Sequence, residues 1–130
     1  MSLLTLALPA GTTRPRPANE SAVGWQAVCA LEDIVPNTGV CALVGGEQVA
    51  IVRVGSGEEL YALANFDPFS KAFVLARGIV GDRAGVAKIA SPIYKQSFEL
   101  RTGVCLDDPS VSVPVWPVRV RDGRVEVALR

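Results

Sequence analysis

The chain contains no histidine. That removes the base of Ser–His–Asp and Cys–His nucleophilic pairs. It also removes the usual nitrogen ligand for zinc and iron. Cysteine is scarce: Cys29, Cys41 and Cys105 are widely spaced and form no Cys-x-x-Cys pair. An odd, sparse set suits a reducing compartment better than a disulfide framework, and each is expected to be a small buried hydrophobe. No apolar run nears the ~20 residues needed to span a bilayer. Neither sign of charge is in excess, because 13 Lys and Arg balance 13 Asp and Glu. This leaves no electrostatic footprint for nucleic acid or an anionic membrane. A nucleotide loop is missing as well. Gly45-Gly46 and Gly55-Ser56-Gly57 fit neither G-x-G-x-x-G nor a Walker loop, and neither leads into a helix.

What is present is apolar content, 49% of 130 residues. A chain of this length forms one domain and buries roughly two-thirds of the surface that its unfolded state exposes. Leu3 to Leu8 is apolar, but no Lys or Arg precedes it and it is barely as long as the shortest signal core. Arg14-Pro15-Arg16-Pro17 then reads as an extended leader. The expectation is a flexible N-terminal arm over 1–22 and a single domain over 23–130.

From Trp25 onward, short strands alternate with turn residues. Trp25 to Cys29 reads as a strand, and Leu31 to Ile34 before Pro36 as a turn or helical twist. Val40 to Val44 and Gln48 to Val54 flank Gly45-Gly46, a strong two-residue hairpin signal. Glu59 to Ala64 follows another glycine turn. Near the end, Val118 and Val120 alternate with Arg119 and Arg121. The chain then turns at Asp122-Gly123 and continues as Val125, Val127 and Leu129. The middle, 65–114, is less regular. Short strands at Ala87 to Ala90 and Ser97 to Leu100 fit between turns at Arg77-Gly78, Gly81-Asp82, Ser91-Pro92, Thr102-Gly103 and Asp107-Asp108-Pro109. No internal repeat is visible. A strand-rich scaffold with long central loops is a scaffold carrying a site.

That middle resembles the cluster-binding half of a Rieske domain. Such domains hold a two-iron cluster with two cysteines and two histidines, typically in loops reading Asn-x-Cys-Pro-His and Cys-Pro-x-His, with Thr-Gly shortly after. Here Asn65-Phe66-Asp67-Pro68-Phe69 and Ser91-Pro92-Ile93-Tyr94, followed by Thr102-Gly103, stand in those places. The N-terminal Val28-Cys29-Ala30-Leu31-Glu32-Asp33-Ile34 resembles the family's opening strand and turn, so the similarity covers about residues 24–129. The resemblance implies an all-β fold, a Rieske-like antiparallel sandwich or barrel with a loop-rich cap at 65–105. All four ligand positions differ, with Asp67 and Ser91 in place of cysteines and Phe69 and Tyr94 in place of histidines. Phenylalanine has no lone pair, and oxygen ligands do not replace two thiolates and two imidazoles, so ligand chemistry excludes the cluster.

Three blocks are more specific. Residues 67–72 (Asp-Pro-Phe-Ser-Lys-Ala), 74–82 (Val-Leu-Ala-Arg-Gly-Ile-Val-Gly-Asp) and 91–96 (Ser-Pro-Ile-Tyr-Lys-Gln) resemble a cluster-less branch, the small subunits of assimilatory NAD(P)H nitrite reductase. That resemblance implies a cytoplasmic, non-catalytic subunit with no cofactor of its own. Its partner would be a large subunit carrying FAD, an iron–sulfur cluster and sirohaem, which reduces nitrite to ammonium. The alternative is a stand-alone module that binds a small molecule or another protein between the former cluster loops. An electron-carrying ferredoxin is disfavoured by the lost ligands.

Among the site residues, Asp67 is expected to bond loop amides, as Asp before Pro often does, and Phe69 and Tyr94 to fill the volume of the cluster. The partner contact is expected at the cap tip, 66–72 and 92–96. There Lys71 and Lys95 would stand near each other, flanked by Phe66 and Ile93, as an apolar centre with a charged rim.

Overall fold

The computed structural model describes residues 24–129. The expected arm over 1–22 therefore lies outside the described residues. Twelve strands are present among those residues. They are β1 (Trp25–Ala30), β2 (Thr38–Val44), β3 (Glu47–Val54), β4 (Glu59–Ala64), β5 (Phe66–Asp67), β6 (Ala72–Phe73), β7 (Ile79–Arg83), β8 (Val86–Ala90), β9 (Ser97–Glu99), β10 (Val115–Trp116), β11 (Val118–Arg121) and β12 (Arg124–Ala128). Single 3-10 turns at Leu31–Asp33 and Leu75–Arg77 accompany them. All pairings are antiparallel.

The centre is a four-stranded sheet in the order β10-β4-β3-β2. Its β3 strand explains the near-continuous apolar run Val49-Ala50-Ile51-Val52. Successive side chains of a strand point to opposite faces, and here both faces are covered. Val49 and Ile51 join one core with Ile34, Ala62, Trp116, Val125 and Val127. Ala50 and Val52 join a second core with Leu63, Leu75, Ile89, Phe98, Leu100 and Cys105. The first core is closed by the sheet β11-β12-β1, built from the two ends of the domain, and the second by the cap sheet β9-β8-β7. The sheets remain separate and do not close into a barrel, so the sandwich form of the expectation is the correct one.

Three hairpins turn on residue pairs with positive φ at both positions: Gly45-Gly46 (56° and 84°), Ala84-Gly85 (52° and 84°) and Asp122-Gly123 (53° and 76°). These are the turns whose twist matches paired strands. The first and third agree with the sequence reading. The second corrects it, because Gly81-Asp82 lies inside β7 and the chain reverses at Ala84-Gly85. Pairing Val80 with Ile89 and Asp82 with Ala87 carries the strand past Gly81. The cysteine expectation is corrected too. All three are free, but Cys105 alone is fully buried, while Cys29 is half-buried and Cys41 exposed. Burial raises the thiol pKa of Cys29, with Asp33 adding to it, and burial alone raises that of Cys41. Neither is an activated thiolate.

Gly78 ends the second 3-10 turn where the cap crosses the central sheet. A Cβ there would collide with the Ala90 carbonyl and stand 2.8 Å from Ile89 Cγ1. Gly78→Ala is therefore expected to destabilise the domain by about 1–3 kcal/mol in urea unfolding. Gly81→Ala, whose Cβ would meet nothing within 4 Å, should change stability by no more than about 0.5 kcal/mol.

Candidate functional site

The two loops that correspond to the cluster loops leave different elements and meet in the cap. The first runs from β5 to β6, and the second joins β8 to β9. Asn65 fixes the first loop's start to the central sheet. Its backbone N–H donates to the Gln48 carbonyl (3.0 Å) and its carbonyl accepts from Leu75 (3.0 Å). Its side chain donates to Gln48 Oε1 (3.1 Å) and accepts from the Ala76 amide (2.7 Å). One buried amide thus joins β3, the loop and the second 3-10 turn, with each of its side-chain ends paired, as burial requires.

Beyond that anchor the loops follow one design. Each opens on a polar residue followed by proline, and each closes four residues later on a lysine. The Lys71 amide donates to the Asp67 carbonyl (2.7 Å), and the Lys95 amide donates to the Ser91 carbonyl (3.1 Å). Within each, the residue after proline donates its amide to the opening side chain. Phe69 N–H reaches Asp67 Oδ1 (2.9 Å), and Ile93 N–H reaches Ser91 Oγ (3.2 Å). Both lysines have positive φ, 62° and 69°. The sequence carries this likeness as Asp67-Pro68-Phe69-Ser70-Lys71 and Ser91-Pro92-Ile93-Tyr94-Lys95. A search for longer repeats overlooks it.

The opening residues touch each other. Ser91 Oγ donates to Asp67 Oδ2 at 2.6 Å, and both residues are fully buried. Ser70 Oγ donates to the same oxygen at 2.8 Å. Burial alone would raise the Asp67 pKa, but the bonds from Ser91, Phe69 and Ser70 outweigh it and hold the carboxyl below the ordinary carboxylate range. The expectation that Asp67 bonds its own loop amide holds for Phe69. The bond across to Ser91 was not foreseen.

Phe69 and Tyr94 part company. Phe69 packs inward on the second core, its ring centroid 6.1 Å from that of Phe98, as expected for a filler. Tyr94 is 61% exposed, which corrects the expectation that it fills the cluster's volume. The two aromatics occupy different positions of matching turns, two residues after the opening residue in one loop and three in the other. Successive residues of a helical turn project about 100° apart, so one side chain turns in and the other out. Phe66 is half-buried and meets Phe73 at 5.0 Å between ring centroids, on a groove shared with Leu43 and Gln48. Ile93, Lys71 and Lys95 are exposed.

A Rieske cluster does not fit this arrangement. The two oxygen groups in the cysteine positions are engaged with each other, Phe69 offers no donor atom, and Tyr94 faces solvent. Among the described residues no group of three or more His, Cys, Asp or Glu could hold a metal ion.

Comparison with known proteins agrees with the fold and refines the family. Residues 24–128 match the family model described as Rieske-like [2Fe-2S] domain. The nitrite reductase (NADH) small subunit of Salmonella typhimurium is 47% identical over 103 residues, covering 79% of this chain and 95% of the relative. The chain belongs to the nitrite reductase small-subunit family. A Mycobacterium tuberculosis crystal structure described as an NADH-dependent nitrite reductase small subunit superimposes with a TM-score of 0.79 at 50% identity, covering 83% of this chain and 96% of that one. The same small-subunit unit also occurs inside a longer polypeptide. The nitrite reductase NAD(P)H large subunit of Klebsiella oxytoca is 43% identical over 103 residues, covering 79% of this chain but only 11% of that one.

The Asp67–Ser91 bond sets two expectations for this small subunit. Ser91→Ala leaves a buried carboxylate short of a donor and should cost about 1–3 kcal/mol in urea unfolding at neutral pH. The second concerns acid. A carboxyl whose pKa is lower folded than unfolded contributes stability that is complete above the unfolded value and is lost as pH falls through the folded one. The wild-type domain should therefore resist acid to below the ordinary carboxylate range. Ser91→Ala, by raising the Asp67 pKa, should move the acid-unfolding midpoint to higher pH, as followed by circular dichroism.

Proposed function

We propose that this chain is the non-redox small subunit of a cytoplasmic NAD(P)H-dependent nitrite reductase, where it supports a large subunit that carries the redox cofactors and reduces nitrite to ammonium. The observation that carries the reading is the hydrogen bond between Asp67 and Ser91. A family whose scaffold is built around a metal cluster here closes its two loops with side chains, so the domain keeps its shape without an electron carrier. Nitrite reduction needs cofactors that carry electrons, and this chain has no residues suited to hold one in the former cluster loops.

The Klebsiella oxytoca chain supports a partner in the same enzyme, because there the unit is part of the large subunit itself. It also supports one copy of this chain per large subunit. The contact is proposed on the folded domain. Its place is the cap tip, with Lys71, Ile93 and Lys95. The ring pair of Phe66 and Phe73 continues that surface toward the Gly45-Gly46 turn.

The test is reconstitution. The isolated chain should be colourless, contain no stoichiometric iron or sulfide, and show no nicotinamide-dependent loss of nitrite. Mixed with the large subunit, it should co-elute as a complex whose mass corresponds to equal copies. Cluster-like absorbance with iron, or turnover by this chain alone, would overturn the reading.

A further inference from the structure

Lysine is an unfavourable choice at the two positions that close the former cluster loops. Among the described residues, five other than glycine have positive φ: Asn37, Lys71, Ala84, Lys95 and Asp122. Asn and Asp enter the left-handed region readily because their short polar side chains bond locally. Ala84 precedes glycine in a two-residue hairpin turn that demands positive φ. Lys95 has only the bond from its ammonium to the Pro92 carbonyl, and glycine at either place would avoid the clash between Cβ and backbone. Both loops nonetheless end on lysine, at equivalent points of matching turns.

The fold makes little use of the two charges. Neither lysine has an ion-pair partner among the described residues. Lys95 Nζ reaches only the Pro92 carbonyl of its own loop, at 3.2 Å. The other charged group within 66–73 and 91–97 is Asp67, which is fully buried and engaged by Ser70, Ser91 and the Phe69 amide. Within these two segments the exposed charges are both positive; the acidic groups on adjoining elements include Asp107, which accepts from the Ser97 amide and pairs with Arg83, and the exposed Glu47, which lines the groove of Phe66 and Phe73. The loops that carry the lysines are tied together through Asp67 and Ser91, and Ile93 and Tyr94, 44% and 61% exposed, stand in the second loop.

We infer that Lys71 and Lys95, placed against backbone preference, form a cationic contact for an acidic patch on the large subunit. Charge complementarity selects the occupant: two ammonium groups without ion-pair partners, on loops that also expose Ile93 and Tyr94, fit carboxylates around an apolar centre. The inference rests on the functional reading above and names the chemistry of its interface.

The test separates side chain from backbone. Association of the large subunit with wild-type chain, the double variant Lys71→Gly with Lys95→Gly, and the control Ala84→Gly is followed by surface plasmon resonance at low and high ionic strength, with thermal melts of each chain. The double variant should melt at or above the wild-type temperature, since glycine relieves both positions, yet associate roughly tenfold more slowly at low salt. That difference should shrink at high salt. Ala84→Gly should associate like wild type. Wild-type association by the double variant would overturn the inference and leave the functional reading standing. So would a salt-independent loss accompanied by a lower melting temperature. Self-association of the wild-type chain through these lysines, seen by sedimentation, would assign the tip to a second copy and overturn the inference. Failure of the wild-type chain itself to bind the large subunit would overturn the reading and the inference together.

Discussion

The two former cluster loops are joined by a hydrogen bond between two fully buried side chains, from Ser91 Oγ to Asp67 Oδ2 at 2.6 Å. Its acceptor is a carboxylate, and hydrogen bonds to charged groups are shorter and stronger than neutral ones. The bond joins the positions where related domains place two thiolates on one iron. A metal bridge between two loops is thus replaced by a side-chain bridge between the same two loops. The replacement is asymmetric in its consequences. With both partners present the carboxylate is satisfied by three donors, whereas loss of one partner leaves a buried charge undersolvated.

That bond can be short because the loops arrive already positioned. Asn65 ties the first loop to β3 and to the second 3-10 turn. The second loop leaves β8 and enters β9, whose Ile89 and Phe98 are both fully buried in the second core. The central sheet, buried on both faces, is the common support. A cap fixed in this way presents its tip side chains in a definite arrangement without carrying any reacting group. Such an arrangement agrees with a member of the small-subunit family.

The equivalence of the two loops also shows how a site can lose its chemistry and keep its form. The proline, the closing lysine and the backbone bond from lysine to the opening residue recur in both. What differs is content. Phe69 turns into the core and packs at a tilt near Phe98, while Tyr94 turns out. The volume of a lost cofactor is taken up partly by one aromatic ring and partly by bringing Asp67 and Ser91 into contact.

Much of this was legible in the residues themselves. Gly45-Gly46 and Asp122-Gly123 sit between alternating apolar strands, and local turn chemistry is enough to place both hairpins. The absent histidines and altered cysteines exclude the cluster by ligand chemistry, which needs no coordinates. Gly81-Asp82 was misread because a turn signal is weaker than the pairing of Val80 with Ile89 that extends β7 beyond it. The exposure of Tyr94 depends on which way a loop position points, which no periodicity encodes in an irregular segment. Cys41, by contrast, is exposed because strand alternation sets it opposite Val40, Ala42 and Val44. The contact between Asp67 and Ser91 joins residues 24 apart, and the strain at Lys71 and Lys95 lies in backbone angles. Strand patterns and turn residues by themselves indicated a strand-rich domain, and the resemblance to Rieske loops located the ligand positions that lack cysteine and histidine. Only the tertiary structure decided which polar groups close its loops and which charges remain outside, because those outcomes depend on distances and dihedral angles set by packing between strands remote in the chain.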